Sequence, residues 1–377
     1  MKNFVKLIEQ IYTERYAKVL KKIITGKIPV AFLSTTKIVD ALETVKEFRK
    51  EGLNINLFIT ADIPRNESDF EIVNLYDAVK RNLHPEYIFV NDVTEIDARI
   101  ALKNFPTSKV IDINGSTENV YDVFMTHLDN LREFYESLID EESKKTFRGF
   151  WLGKIANRLG EVVYSNTPHY LINGFVPAAG GIIIEAGAYD GGTASVLSEM
   201  NYKVYTFEID KLNYERTLKV AEEKDFVLEH IGLGSYKHEM SYTPSGKGNN
   251  HLTDDGTENI QVTTIDAYVR EKKLPHVDMI KLDVEGAELD VLRGAVTTIL
   301  RFKPILALSA YHKLDDFWTL MNFVKSLRPD YEFALRHSFD SFEDTPTSYF
   351  EEHFRIFKTF DLEPHIQGYN ECVLFAR

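Results

Sequence analysis

The sequence predicts an α/β protein with two parallel-sheet units, the second carrying the functional site. Short apolar segments alternate with amphipathic helical ones from Val30 onward, as in strands joined by helical crossovers. A β-branched run, Ile182-Ile183-Ile184, passes directly into a glycine-rich turn at Gly187, Gly191 and Gly192, the behaviour of a strand buried on both faces. A chain of 377 residues also exceeds one ordinary domain.

Composition narrows the class. Hydrophobic residues make up 44% and charged residues 27%, which fits neither a disordered chain nor a membrane bundle. No apolar run approaches the length of about 20 residues that spans a bilayer. The start, Met1 to Gln10, mixes charged and apolar residues and has no small-residue cleavage site, so it reads as a helix and not as a signal peptide. The single cysteine, Cys372, excludes an intramolecular disulfide and a cysteine-rich zinc site. A cytoplasmic protein is therefore expected. The net charge of -14 argues against a broad nucleic-acid or anionic-membrane surface.

In chain order, residues 3 to 24 place Phe4, Leu7, Ile8, Ile11, Val19, Leu20, Ile23 and Ile24 at helical spacing. Pro29 ends that pattern. Strands are then expected at Val30 to Leu33, Ile55 to Ile59, Tyr87 to Val90 and Lys109 to Ile113, with helices at Ile38 to Arg49, Leu75 to Asn82 and Ile96 to Asn104. The first turn, Ser34 to Lys37, holds no glycine. It can meet a phosphate at a helix start, but a plain capping turn in a scaffold domain is the preferred reading. Residues 117 to 174 are mostly helical, with Asp140 to Thr146 a polar interruption and Phe147 to Leu159 a further helix. The expected domains are residues 1–116, a small Rossmann-like α/β domain; 117–174, a helical connector; and 175–377, the site-bearing domain.

After the glycine turn, Lys203 to Phe207 reads as the second strand of that domain and Leu212 to Glu223 as its helix. Phe226 to Ile231 is the third strand. Residues 236 to 259 are polar and glycine-rich, a mobile flap, with a short strand at Ile260 to Val262. Met279 to Leu282 and Pro304 to Leu308 follow as strands, Trp318 to Leu327 as a helix, and Glu332 to Arg336 and Cys372 to Ala376 as the last strands. Residues 338 to 369 form an insertion.

Four acids fall at strand ends: Glu185, Glu208, Asp266 and Asp283. Ligands bind beyond the carboxyl ends of strands in an open parallel sheet. An acid after the glycine-turn strand can meet an ammonium group, and one after the next strand can accept both hydroxyls of a ribose. S-adenosylmethionine carries both groups. A nicotinamide dinucleotide has the ribose, but its pyrophosphate needs a Gly-x-Gly-x-x-Gly turn, and Glu185 and Asp190 would repel it.

Glu185-Ala-Gly-Ala-Tyr-Asp-Gly-Gly-Thr193, Val204 to Glu208, Ile231-Gly-Leu-Gly234 and Ile280-Lys-Leu-Asp-Val-Glu-Gly-Ala-Glu288 together resemble the FkbM family of S-adenosylmethionine-dependent methyltransferases. The resemblance covers roughly residues 147 to 377, and the Ile280 to Glu288 block is its most specific part. It implies a Rossmann-like, seven-stranded class I methyltransferase domain with an antiparallel last strand, and O-methylation of sugars or other hydroxyl-bearing metabolites. By position, Glu185, Gly187, Tyr189 and Gly191 would hold the methionine end, Glu208 the ribose, and Ile231, Gly232 and Leu233 would border the adenine. Asp283 would lie beside the sulfonium and the incoming hydroxyl. Glu185 stands where the family more often has Asp, and residues 1 to about 115 lie outside the pattern.

Methyl transfer to an alcohol gains from a positioned base, and Asp283 and His312 are the candidates. A strand-end histidine is as readily a structural hydrogen-bonding group. Asp283, Glu285 and Glu288 are possible oxygen ligands for a divalent cation, but acids in a first helical turn also serve the helix dipole, and no metal is expected. The rings of Tyr189 and Tyr311 can face a sulfonium or simply pack. His169, His230, His238, His251 and His337 show no ligand spacing. The expected partner is a small-molecule or glycan acceptor, without nucleic acid or a membrane span, and a homodimer is the assembly considered. The rival readings are a non-catalytic binding module on the same scaffold and an NAD-dependent sugar-nucleotide oxidoreductase or epimerase.

Overall fold

The computed structural model describes residues 1–10, 21–23, 25–35, 38–61, 70–90, 96–112, 120–156, 162–163, 165–168, 170–244, 256–339 and 371–377. The chain divides into two compact units. The first is Met1–Leu128, Lys145–Tyr164 and Phe339–Asn370; the second is Asp129–Lys144, Ser165–Ser338 and Glu371–Arg377. Among the described residues, no helix is long and apolar enough to cross a membrane.

The first unit holds strands β1 (Val30–Ser34), β2 (Ile55–Thr60), β3 (Glu71–Asn74), β4 (Tyr87–Val90) and β5 (Lys109–Asp112). They form a parallel sheet in the order β3-β2-β1-β4-β5. Alternate residues feed two cores, because successive side chains of a strand point to opposite faces. Ala31, Leu33, Ile59, Ile88 and Val90 pack with Ala78, Ile100 and Phe105. Val30, Phe32, Phe58, Tyr87 and Phe89 pack with Ala41, Leu42 and Val45 of helix Ile38–Lys50. Strand β3 was not anticipated from sequence, since it is short and, of its four residues, only Val73 is buried. After β1, the Thr35 amide and hydroxyl donate to Asp97 Oδ1 at 2.7 and 2.6 Å, tying the turn to helix Ile96–Asn104. Thr36 and Lys37 lie outside the described residues.

The second unit contains an eight-stranded sheet of β6 (Ser165–Pro168), β7 (Ile182–Ala186), β8 (Lys203–Phe207), β9 (Val227–Glu229), β13 (Met279–Leu282), β14 (Ile305–Ser309), β15 (Phe333–Phe339) and β16 (Cys372–Ala376). Its order is β6-β15-β16-β14-β13-β7-β8-β9. Strands β9, β8, β7, β13 and β14 are parallel; β16 runs antiparallel to both β14 and β15. The seven expected strands are present, and β6 adds an eighth at the edge. Strand order reverses at β7 and β13, so a crevice opens beyond their carboxyl ends. A second sheet, β10 (Gly232–Leu233), β12 (Glu258–Thr263) and β11 (His238–Tyr242), differs from the expected mobile flap: His238 to Tyr242 pairs antiparallel with β12. The backbone bonds of this polar stretch go into a ladder despite its composition. Residues 245–255 of the flap and 340–370 of the insertion lie outside the described residues.

Two further expectations need correction. Asp266 is a cap and not a rim acid: it accepts from the amides of Thr297 and Thr298 and from the Thr298 hydroxyl at 2.7 to 2.8 Å, fixing the start of helix Val296–Phe302. Asp140 to Thr146 is not an interruption, because helix Glu141–Ala156 begins there. Asp140 accepts from the Ser143 amide at 2.8 Å, an N-cap bond, and Glu141 and Glu142 favour the helix dipole. The Arg336 guanidinium meets the Asp140 carboxylate through two bonds of 2.8 and 3.1 Å. Burial alone would raise the Asp140 carboxyl, but the bonds from Arg336 and Ser143 outweigh it and hold its pKa at about 2, below the ordinary 3.8. A depressed carboxyl contributes stability above its unfolded pKa and loses it as the pH falls through the folded value. Urea midpoints of the wild type should therefore fall between pH 4 and pH 2. Asp140→Asn should lower the midpoint at neutral pH and flatten that fall; parallel pH profiles would exclude the pairing as its source.

Candidate functional site

The floor of the crevice is the turn after β7. Gly187 adopts φ +87° and Gly191 φ +82°, conformations that favour glycine. The amides of Gly187 and Ala188 both donate to Phe207 O, at 3.1 and 3.2 Å, and the Asp283 amide donates to Ala186 O at 3.0 Å. The ends of β7, β8 and β13 are thereby drawn together. A Cβ on Gly187 would lie 1.9 Å from Asp283 O, so this position is set by contact as well as by φ. Tyr189, at φ +52°, is exposed, with the Arg216 guanidinium 5.9 Å from its ring centre. Helix Gly192–Glu199 leaves the turn from Gly191.

Glu208 follows β8 and is 6% exposed. Its Oε2 accepts from the Tyr189 amide and its Oε1 from the Asp210 amide, each at 2.8 Å. Burial raises its pKa while these backbone donors oppose the rise. The carboxylate is held at a fixed angle beside the glycine turn, with lone pairs left for further donors. Gly232 and Leu233 pair with Val262 and Thr263 of β12, and the half-buried Ile231 precedes them. A Cβ on Gly232 would come within 3.1 Å of Val262 Cγ2.

Glu185 is fully buried inside the sheet. Its Oε1 lies 3.3 Å from Lys281 Nζ, and its Oε2 accepts from the Thr206 hydroxyl at 2.6 Å. Lys281, 2% exposed, also donates to Gly187 O at 3.0 Å and lies 4.8 Å from the centre of the Tyr170 ring. A ligand ammonium would reach Glu185 only by displacing this lysine. The acid holds the floor from beneath and does not line the crevice.

Asp283 and His312 are brought together. Asp283 Oδ2 accepts from the Tyr170 hydroxyl at 2.8 Å and Oδ1 from the Tyr311 hydroxyl at 3.3 Å. Burial and the Asp283 charge push both phenols up, so they remain donors at neutral pH. His312 Nε2 lies 3.5 Å from Asp283 Oδ1 and 3.5 Å from Glu285 Oε2; Nδ1 lies 2.9 Å from Glu288 Oε1. Burial disfavours the charged ring, but Glu288, Asp283 and Glu285 outweigh it and raise the His312 pKa to about 9. At neutral pH the ring is thus a cation among acids and holds no free lone pair for a proton.

Glu285 and Glu288 are not the first-turn pair expected. Glu285 precedes the helix at φ +53°, and Glu288 begins helix Glu288–Arg293 while fully buried. Glu288 Oε1 accepts from the Val284 amide at 2.9 Å and more weakly from the Gly286 amide at 3.4 Å. Sequence reasoning passed over Lys281 and Tyr170. A lysine within a buried strand must find an acid, and that signal was available; Tyr170, at φ +63° between β6 and β7, offered none.

Residues 185–361 match the family model described as the methyltransferase FkbM domain. A 113-residue stretch, 29% of this chain, is 25% identical to hexuronic acid methyltransferase AglP of Haloferax volcanii. That stretch spans 47% of the relative, so the chain covers about half the length of the curated protein it matches. Methyltransferase FkbM from Methylobacillus flagellatus KT, a crystal structure, superposes with a TM-score of 0.67 over 100% of this chain and 98% of its own, at 16% identity. Identity that low speaks for the fold.

Proposed function

We propose, from the match of residues 185–361 to the methyltransferase FkbM domain, that this chain is a methyltransferase that transfers the methyl group of S-adenosylmethionine to a hydroxyl of a sugar, glycan or related metabolite. The observation that carries this reading is the buried Glu208 carboxylate, fixed by the Tyr189 and Asp210 amides beside the Gly187 turn. An acid so held suits the two hydroxyls of a ribose, and the acid of Asp283 suits the sulfonium side of the same molecule. Glu185 does not fit the ammonium role, since Lys281 already occupies it. The methionine end falls instead to the backbone of the Gly187 to Gly191 turn, and the adenine to Ile231, Gly232 and Leu233. A hexuronic acid, named for the Haloferax relative, is one acceptor of the proposed class.

S-adenosylmethionine, when bound, supplies a methyl group activated by positive sulfur. The chain's task is then alignment and proton removal. Asp283, held by Tyr170 and Tyr311, is the proposed proton acceptor for the incoming hydroxyl. His312, charged at neutral pH, positions Asp283 and does not serve as the base.

Glu208→Ala removes acceptors for two hydroxyls. At about 1.5–3 kcal/mol for a hydrogen bond to a charged group, affinity should drop about 100-fold or more. Calorimetric titration with S-adenosylmethionine reads the loss, with circular dichroism as the check on folding. Unchanged affinity of a folded variant would remove Glu208 from the site. Saturable binding of NAD without S-adenosylmethionine would replace the reading with an oxidoreductase.

A further inference from the structure

Asp283, Glu288 and His312 each offer one ligand atom, and these atoms lie within 4.8 Å of one another. Glu285 Oε2 approaches His312 Nε2 to the same 3.5 Å as Asp283 Oδ1 does. Atoms that share a cation at about 2.1 Å lie about 3.0–3.4 Å apart, so the spacing at Nε2 is close to that of a coordination shell. The histidine side chain is only 10% exposed, yet among the described residues neither ring nitrogen has an aligned hydrogen bond. Glu288 Oε2, in a side chain with no exposure, also has no hydrogen-bond partner among them. Buried polar atoms are normally satisfied. Here the carboxylates of Asp283, Glu285 and Glu288 face one buried imidazole whose two nitrogens lack an aligned partner. The neighbouring Lys313 donates its ammonium to Gly286 O. A small cation suits a ring nitrogen that two carboxylate oxygens approach so evenly.

We propose that Asp283, Glu285 and His312 bind one divalent metal cation, with His312 Nε2 and Asp283 as direct ligands. Glu288 lies against Nδ1, where a carboxylate orients a metal-bound histidine. Glu285, whose side chain is 31% exposed, closes the set from the solvent side. One imidazole with carboxylates suits Mn²⁺, Mg²⁺ or Zn²⁺. The cation replaces the ring proton, as metal binding does at any histidine. Its role rests on the methyl-transfer reading: next to Asp283 it holds two neighbouring oxygens of the acceptor, as in a sugar diol or a hydroxy acid, and so selects acceptors able to chelate.

The test uses the full chain stripped of metal and titrated with Mn²⁺, the free ion being followed by electron paramagnetic resonance. The expected result is one ion per chain, saturating below about 100 μM. Pulsed resonance of the bound ion should show coupling to one imidazole nitrogen. His312→Gln should abolish that coupling and weaken binding by about tenfold or more. Absence of stoichiometric Mn²⁺ binding to the folded wild type overturns the proposal, and so does binding without nitrogen coupling. Neither result depends on the folding of a variant. Parallel calorimetry with S-adenosylmethionine separates the two readings. Cofactor binding without Mn²⁺ binding rejects the metal site alone, and Mn²⁺ binding without cofactor binding supports the metal site while rejecting the cofactor reading.

Discussion

Gly187→Ala should leave a protein that no longer binds S-adenosylmethionine measurably and is less stable by about 3–5 kcal/mol. Two costs add. The backbone at φ +87° is disfavoured for alanine by about 1–2 kcal/mol. The new Cβ would also lie 1.9 Å from Asp283 O, a backbone atom that moves only if β13 moves. That shift would break the Asp283 amide bond to Ala186 O and the Lys281 bond to Gly187 O. Gly191→Ala is the informative comparison. Its φ of +82° carries a similar backbone cost, but the obstructing atom at 2.9 Å is a side-chain methyl of Thr217. Its stability loss should be smaller, about 1–2 kcal/mol. Urea unfolding and calorimetry on both variants check the order. A Gly187→Ala protein within about 0.5 kcal/mol of wild type would show that the two strand ends are not in contact.

Lys281→Met should cost about 3–5 kcal/mol, because it strands the buried Glu185 carboxylate without its cation. For a unit of this size, that corresponds to a melting temperature lower by about 10 °C. The double variant Lys281→Met with Glu185→Gln should recover most of the loss, since two uncharged groups of similar volume replace the pair. Thermal unfolding of the two singles and the double forms a mutant cycle. If the double is no more stable than Lys281→Met, the pair contributes nothing as a pair, and the lysine acts through Gly187 and Tyr170 instead.

Much of the site was legible along the chain. The Ile182 to Ile184 run, the glycines after it and the acid closing the next strand are local signals, and they lie where the pattern predicted. Other predictions failed for want of local signal. Strand β3 is short and half exposed, so its propensity is weak. Helix Glu141–Ala156 was begun late because its first turn reads as polar, although its cap, Asp140, was in plain view. The polar stretch at His238 to Tyr242 became a strand through backbone pairing with β12, which composition does not report.

The sequence by itself determined the alternation of strands and helices, the places where the chain must turn, and which acids stand at strand ends, because each depends on residues a few positions apart. The tertiary structure decided what those acids do. Sheet register sets Lys281 opposite Glu185 and turns that acid inward, while Glu208 is kept at the crevice by the amides of Tyr189 and Asp210. The close of β14 carries His312 among Asp283, Glu285 and Glu288. Charge and hydrogen bonding act over a few ångströms of space, and only the folded sheet brings residues so distant in sequence within that reach.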